Sequence, residues 1–575
     1  YTPLWLEERS DLLAALLGAW STANGLTVMA DQVSRLAKPV LIEHLVRSLL
    51  LATRAMSNPP SILFKLLEIS GSSSDAIDVS FVFQYVWTEL ITKWSIAKRR
   101  EILSAFLLRL GDSSISDEAN STLLQHLINP MVATVFTLPS IAAHDGSDSD
   151  ASHAGGSMSQ EQRSAELLRG QIISLIHQRV WVMHMSSSVQ TMAATKASVR
   201  LELVQLSSIL MRHAVSAVAD LRKDIIKFGW IFIRNDDIMI KNASYVLVSQ
   251  FIAAFDTPPK ITLQAYSSLL KAHQVESRFL VRQALDILLP VLPLRLGQSA
   301  ASSSSADASG TSTTGLPAWV VLAKRVLIDH SSSLALTTHV YQLIAGHAAI
   351  FFPYRMHFAS NLVGVLQRMC LTHNSTSETR TLALDIMDLL LKWHEMLEPA
   401  SVITGSGSAP NTASAPALAS EAVGGMTEDA SASGPIAATA TDLLTEARRE
   451  TIVGLLLRML CLAFDFVLKS NLGPRALGLL TRYLDTTKWP PMHLRLTFFE
   501  RSVQQIESQG MSQQLVLHIL TVLSAVTAQM QAVWFEEYYG TLVSIIRKCI
   551  VVDNGQVQKL VASMLRQLYE QAANN

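Results

Sequence analysis

Apolar residues along this chain recur every three or four positions, the spacing of an α-helix that turns one face to a core. Ile452, Leu455, Leu456, Met459, Leu460, Ala463, Phe466 and Val467 form one such stripe and predict a long amphipathic helix. Leu382, Ile386, Leu389, Leu390, Trp393 and Leu397 form a second. Ahead of it, Ser375 and Glu378 have the Ser-x-x-Glu spacing of a capping box, and Pro399 marks its end. A third stripe runs through Leu280, Ala284, Ile287 and Leu288. The helix before it is expected to open with Thr257 as N-cap and Pro258 as first helical residue. Sustained alternation of apolar and polar residues is missing, as is the strand–helix rhythm of a nucleotide-binding sheet. The fold class is therefore all-α.

Helices follow one another in pairs of roughly 40 residues, the length of HEAT-like or armadillo-like units, and about a dozen pairs would fit. A single pair leaves an apolar face uncovered unless a neighbour stacks on it, so an α-solenoid of antiparallel pairs is expected, with Leu389 in one of its interfaces. Three stretches break the pattern: 144–160, 297–315 and 399–442. Their Ser, Gly, Ala, Thr and Asp content cannot bury enough apolar area to offset chain entropy, which predicts disordered loops. Composition returns to the same helical type after each, so they read as insertions between helical repeats at 1–143, 161–296, 316–398 and 443–575.

Composition sharpens this picture. Apolar residues make up 49% of the 575 and charged residues 16%, so a large core is affordable and polar faces are thin. Lys plus Arg, 46, nearly balances Asp plus Glu, 47, leaving no global field to draw the chain onto nucleic acid or an anionic membrane. Protein partners are expected. Cys370, Cys461 and Cys549 are far apart and set in apolar stretches, which argues for buried thiols in a reducing compartment and against a disulfide framework. The greasiest stretch, Ile452 to Leu468, is interrupted by Arg458 and Asp465, and no membrane helix is expected. A start at Tyr1 with no basic-plus-apolar leader reads as an internal fragment or a processed chain.

Candidate chemistry is sparse. No phosphate-binding glycine loop and no His-Glu-x-x-His occurs. Gly405-Ser406-Gly407-Ser408 lacks the form and the preceding strand of a nucleophile turn. His347 and His357 flank Phe351, Phe352 and Tyr354, but no Cys or carboxylate completes a ligand set, so structural histidines are the favoured reading. Asp145, Asp148 and Asp150 resemble part of a calcium loop without its terminal Glu and read as a solvated acidic loop. Ser147 and Ser149 beside them are candidates for phosphorylation. Lys98, Arg99 and Arg100 lie among Trp94, Ile96, Ile102, Leu103 and Phe106 and read as the solvated face of an amphipathic helix, too narrow for nucleic acid. The Asn-x-Ser/Thr triplets at Asn120, Asn242 and Asn374 read as coincidental. No catalytic residue, cofactor or metal is expected.

Specific segments go further. From Ala219 the chain reads A-D-L-R-K-D-I-I-K-F-G-W, then Y-V-L-V-S-Q-F-I-A-A-F-D-T-P-P-K from Tyr245, continuing to Arg295. In the same order come W-V-V-L-A-K-R-V-L from Trp319, F-F-P-Y-R-M-H-F from Phe351, L-A-L-D-I-M-D-L-L-L-K-W ending at Trp393, and K-W-P-P-M-H-L-R-L from Lys488. Upstream, P-L-W-L from Pro3 and K-R-R-E-I-L from Lys98 fit the same pattern. The chain resembles the transformation/transcription domain-associated protein family, pseudokinase relatives of the phosphatidylinositol-3-kinase-like kinases. The resemblance implies an internal HEAT-repeat region of a very large nuclear protein. It further implies a non-catalytic scaffold shared by SAGA-type and nucleosomal histone acetyltransferase complexes, with transcriptional activators and complex subunits as partners. No small-molecule substrate, membrane or sequence-specific nucleic acid is implied. Helical periodicity alone also permits the repeat region of an active kinase of that superfamily, or a cargo-binding solenoid such as a nuclear transport receptor.

Overall fold

Helices that cannot bury their apolar faces alone stack here in two separate units, residues 1–319 and 320–575. The computed structural model describes residues 60–71, 80–110, 115–137, 159–185, 196–296, 316–372, 375–396, 443–462, 472–496 and 513–574, with isolated positions outside these stretches. Among the described residues every regular element is helical. The Ser- and Gly-rich stretches lie almost wholly outside the described residues, as do Ala463, Phe466, Val467, Leu397 and Pro399. At the end of the first stretch, Ser159 caps the helix that begins at Gln160, and Ser159 and Gln162 form a reciprocal capping box.

In the first unit, α1 (Pro60–Gly71), α2 (Ser80–Tyr85), α3 (Ile96–Arg109), α4 (Asp117–Leu123), α5 (Asn129–Thr137), α6 (Gln160–Leu167) and α7 (Ile172–Ile176) lead to the longer helices α8 (Ala197–His213), α9 (Arg222–Ile233), α10 (Ile238–Ala254), α11 (Pro259–Lys271) and α12 (Arg278–Leu288). Three of the early helices widen into π-helical turns, Val86–Ile91, Leu124–Ile128 and His177–Val182. Each accommodates an extra residue in a continuous helix. The first two of these turns pack on each other.

α10 is the centre of this unit. It packs on α8, α9, α11 and α12 and is buried on all sides from Asn242 to Ile252, so it is not the one-sided helix that amphipathic spacing predicts. Two of its buried polar residues are satisfied nearby. Ser244 Oγ donates to Ile240 O at 2.7 Å, and Asn242 Nδ2 donates to Ser277 Oγ of the α12 cap at 2.6 Å. Gly229 lets α9 approach α10 closely, since a Cβ there would lie 3.2 Å from Val248 Cγ2.

The second unit contains α13 (Ala318–Asp329), α14 (Leu334–Gly346), α15 (Arg355–Leu371), α16 (Ser377–Glu395), α17 (Glu446–Leu462), α18 (Leu472–Leu484), α19 (Gln513–Thr527), α20 (Ala532–Ile550) and α21 (Gly555–Asn574). α15 packs on both α16 and α17, α16 on both α14 and α18, and α17 on both α18 and α19. Each helix thus meets its hairpin partner and the equivalent helix of the next pair, the layering of a HEAT-type stack. No single described helix is long and apolar enough to cross a membrane. Leu334–Gly346 and Ala348–Leu371 pass that test only together, bent by 93°.

Three expectations are corrected. The cap of α16 is Thr376, whose Oγ1 accepts from Thr379 N, while Ser375 Oγ bonds Thr372 Oγ1 at 2.9 Å. Threonine and serine cap equally well in outline, and the helix starts one residue later than the Ser-x-x-Glu spacing predicts. Similarly α11 begins at Pro259 with Pro258 as its N-cap, and Thr257 Oγ1 donates to Phe255 O instead. Two consecutive prolines make the second the natural first helical residue.

The third correction is larger. Lys98 and Arg99 are buried, not solvated. Arg99, 6% exposed, donates to Ile91 O at 2.7 Å, Trp94 O at 3.1 Å, Met131 O at 3.4 Å and Thr134 Oγ1 at 2.9 Å. It collects the carbonyls of Ile91 and Trp94, left over where the π turn Val86–Ile91 ends, and ties them to Met131 and Thr134 of α5. Burial lowers its pKa to about 10. Arg100 is half-buried and reaches Glu166 of α6 at 2.6 Å.

Replacing Leu389, 2% exposed in α16, by alanine is expected to cost about 2–5 kcal/mol through the cavity it leaves, read as a lowered thermal midpoint. Arg99→Ala is expected to cost about 3 kcal/mol because it strands the Ile91 and Trp94 carbonyls and empties a buried site. Arg100→Ala, at a partly exposed pair, should stay within about 1 kcal/mol. Equal effects of the two arginine variants in urea unfolding would contradict the anchoring role of Arg99.

Candidate interaction surfaces

Two features of the second unit meet at residues 485–496, where the chain runs without helix between α18 and the stretch before α19. Pro490 and Pro491 remove two backbone donors and forbid helix, so this segment must be held by its neighbours. Arg449 of α17, itself buried, donates to Pro490 O at 2.6 Å and lies 5.3 Å from the centre of the Trp489 ring. His394 of α16 stacks on the same tryptophan at 4.3 Å between centroids. Trp489 Nε1 donates to Arg482 O at 3.2 Å, and Trp534 Nε1 of α20 donates to Leu494 O at 2.7 Å. His493 and Glu537 close the arrangement at 2.8 Å.

Beneath the segment, charges link α16 to α18. Arg482 bonds Asp388 at 2.8 Å and Glu395 at 3.0 Å, Lys392 bonds Asp388 at 2.8 Å, and Arg475 bonds Asp385 at 2.6 Å. Burial works to raise the Asp388 carboxyl, but hydrogen bonds and charge from Lys392 and Arg482 outweigh it and hold the pKa below the ordinary value. Buried Tyr483 completes the contact by donating to Met387 O at 2.8 Å. The clamped segment borders a concavity of about 300 Å³, lined by Pro490, Pro491, Met530, Val533, Trp534 and Glu537 among others.

The first unit carries a wider concavity of about 520 Å³, lined by Met185, Asp224, Lys227, Trp230, Ile231 and Arg234. Asp224 is tied across to His177 of the third π turn at 2.9 Å. That turn is itself fixed by Trp181, whose Nε1 donates to Ser207 Oγ of α8 at 3.0 Å.

Among the described residues no group of three or more His, Cys, Asp or Glu side chains could hold a metal ion. His347 sits at the break after α14 and His357 lies inside α15. Cys370, Cys461 and Cys549 are buried free thiols, with burial pushing their pKa values up to about 12, 12 and 11, so none is a ready nucleophile. Asn120 and Asn242 are buried. Asn374, the aspartates at 145, 148 and 150, Ser147, Ser149 and the Gly405–Ser408 run lie outside the described residues. The helix-terminal surfaces and the clamped Pro-Pro segment were not singled out by sequence, although the uninterrupted K-W-P-P-M-H-L-R-L stretch contains the latter.

Stacked helix pairs of this kind define a helical-repeat region. The chain belongs to the family described as the Tra1 HEAT repeat ring region, which matches residues 1–575. It is 30% identical over 406 residues, 68% of this chain, to the SAGA complex/NuA4 acetyltransferase complex subunit TRA1 of Saccharomyces cerevisiae, and 24% identical over 545 residues, 88% of this chain, to the human transformation/transcription domain-associated protein. It spans only 10% and 13% of those relatives' lengths. Among solved structures it is similar to Kap121p, with 12% identity, 92% of this chain and 48% of that chain covered, and a TM-score of 0.42.

Because the native Asp388 pKa is depressed, the pair contributes stability above about pH 4, where the unfolded carboxylate is charged, and loses it as pH falls through the lower native value. Asp388→Asn is expected to cost about 1 kcal/mol at pH 7, and the gap from the parent protein should close in acid. Urea midpoints that differ equally at pH 7 and pH 2.5, about one unit below the ordinary value, would contradict this account.

Proposed function

We propose that this region is a non-catalytic scaffold segment of a large transcriptional coactivator subunit of histone acetyltransferase complexes, offering surfaces to transcriptional activators and to neighbouring subunits in the nucleus. The observation that carries the reading is the match of the whole chain to the Tra1 HEAT repeat ring family, joined to relatives named as subunits of SAGA and NuA4 acetyltransferase complexes. The structure supports it physically. A HEAT-type stack exposes long edges made of successive helix ends, and such edges bind by many modest contacts instead of one deep pocket. The Ser-, Gly- and Ala-rich stretches at 144–160, 297–315 and 399–442 serve in this reading as insertions that leave the stacking intact.

Affinity purification of the intact protein from nuclear extract, followed by identification of co-purifying chains, is expected to recover acetyltransferase-complex subunits. Recovery of the protein without any of them would sink the proposal.

A further inference from the structure

Two polar side chains of the first unit meet away from solvent. Glu202 of α8 is 7% exposed, and Asn129, the first residue of α5, is 5% exposed. Asn129 Nδ2 donates to Glu202 Oε2 at 2.8 Å and to the backbone oxygen of the same glutamate at 3.1 Å. The other end of the amide is different: Asn129 Oδ1 is buried with no hydrogen-bond partner. An amide oxygen needs a donor, and an ionised carboxylate has none to give. Asn129 also closes the second π turn, since its own N–H donates to Leu124 O. One residue thus ties the turn Leu124–Ile128 to α8, by its main chain on one side and its side chain on the other.

The charges around Glu202 are engaged elsewhere. α8 packs on α4, the second π turn, α5, α10 and the short helix Val215–Val218. α4 brings Asp117 and Glu118, both held by Lys196, whose backbone N–H donates to Asp117 Oδ2 at 2.7 Å. The π turn brings His126, stacked on Phe83 at 3.9 Å between centroids. α10 brings Lys241, which is exposed, and Tyr245, which is buried. α5 and Val215–Val218 carry no titratable side chain. On α8 itself, Arg200 acts on His184, Arg212 is exposed and His213 stacks on Phe136. Among the described residues no cation forms an ion pair with Glu202. A buried carboxylate without a cation is costly. Burial pushes the Glu202 carboxyl above the ordinary glutamate range, against the Asn129 hydrogen bond, which works to lower it.

We propose that Glu202 is a proton-binding site whose acid form donates its O–H to Asn129 Oδ1 while accepting from Asn129 Nδ2, a reciprocal acid–amide pair that clasps the second π turn and α5 to α8. When the O–H bond breaks, the proton goes to solvent and a carboxylate is left facing an amide oxygen, with one hydrogen bond of the two remaining. The clasp therefore slackens as pH rises. A carboxyl whose native pKa lies above its unfolded one contributes stability in full below about pH 4, and that contribution is lost as pH rises through the native value. Asp388, with its depressed pKa, responds in the opposite direction.

The test uses hydrogen exchange of the 575-residue chain, read by mass spectrometry over residues 124–137 and 197–213 as protection relative to the intrinsic rate at each pH. Protection in the parent is expected to fall about tenfold between about pH 5 and about pH 8, the equivalent of one pKa unit. Glu202→Gln keeps both hydrogen bonds with no proton to lose, so it should match the parent at about pH 5 and exceed it about tenfold at about pH 8. Asn129→Ala should lower protection at both pH values and abolish the response to pH. Infrared spectra at about pH 5.5, above the ordinary glutamate value, should contain a protonated-carboxyl band that Glu202→Gln removes.

A Glu202→Gln chain less protected than the parent at the higher pH, or one that loses no carboxyl band, would overturn the proton site. A pH response that survives Asn129→Ala would overturn the pairing, because burial of the glutamate would then account for it alone.

Discussion

Everything in this chain depends on lateral burial: an amphipathic helix pair has nowhere to put its second apolar face except against another pair. α10 is the extreme case, enclosed by α8, α9, α11 and α12 and buried from Asn242 to Ile252. Once a helix is enclosed on every side, a polar group on it gains from a partner within hydrogen-bond reach. Ser244 bonding back to its own helix and Asn242 capping into α12 are consequences of that enclosure. In the second unit the same need appears in α16, whose core face is packed and whose polar face is spent on Arg475 and Arg482.

Breaks in helical order are handled by buried arginines. Arg99 gathers carbonyls at the end of a π turn, and Arg449 holds the carbonyl of Pro490 where prolines forbid helix. At Arg99 the guanidinium meets carbonyls from more than one stretch of chain, which a compact ammonium could not do in a fixed plane. The edges exposed by this architecture are then left to carry recognition, because the interior is committed to stacking.

Much of the fold was legible in the residues themselves. The stripe from Ile452 to Leu460 and that from Leu382 to Trp393 both fall in helices with those residues buried, since periodicity reports directly on which face is enclosed. What failed did so for local reasons. Lys98, Arg99 and Arg100 look solvated in sequence because the oxygens that receive Arg99 include those of residues 32 and 35 positions away. Caps at Ser375 and Thr257 were displaced by adjacent residues of equal capping chemistry or by a second proline. The π turns were invisible, since apolar spacing does not distinguish an α-helix from one carrying an extra residue. Surfaces were least legible of all. The concavity lined by Met185, Asp224 and Trp230 draws on residues well apart in the chain.

The π turns carry a record of chain length. An extra residue inserted in an ordinary helix rotates everything after it by about 100° and would turn buried faces outward. Where the helix instead widens, as at Val86–Ile91, Leu124–Ile128 and His177–Val182, the insertion is absorbed within one turn and the downstream face keeps its direction. These helices are therefore places where, among the described residues, removing a single residue would shorten the protein while sparing its layers.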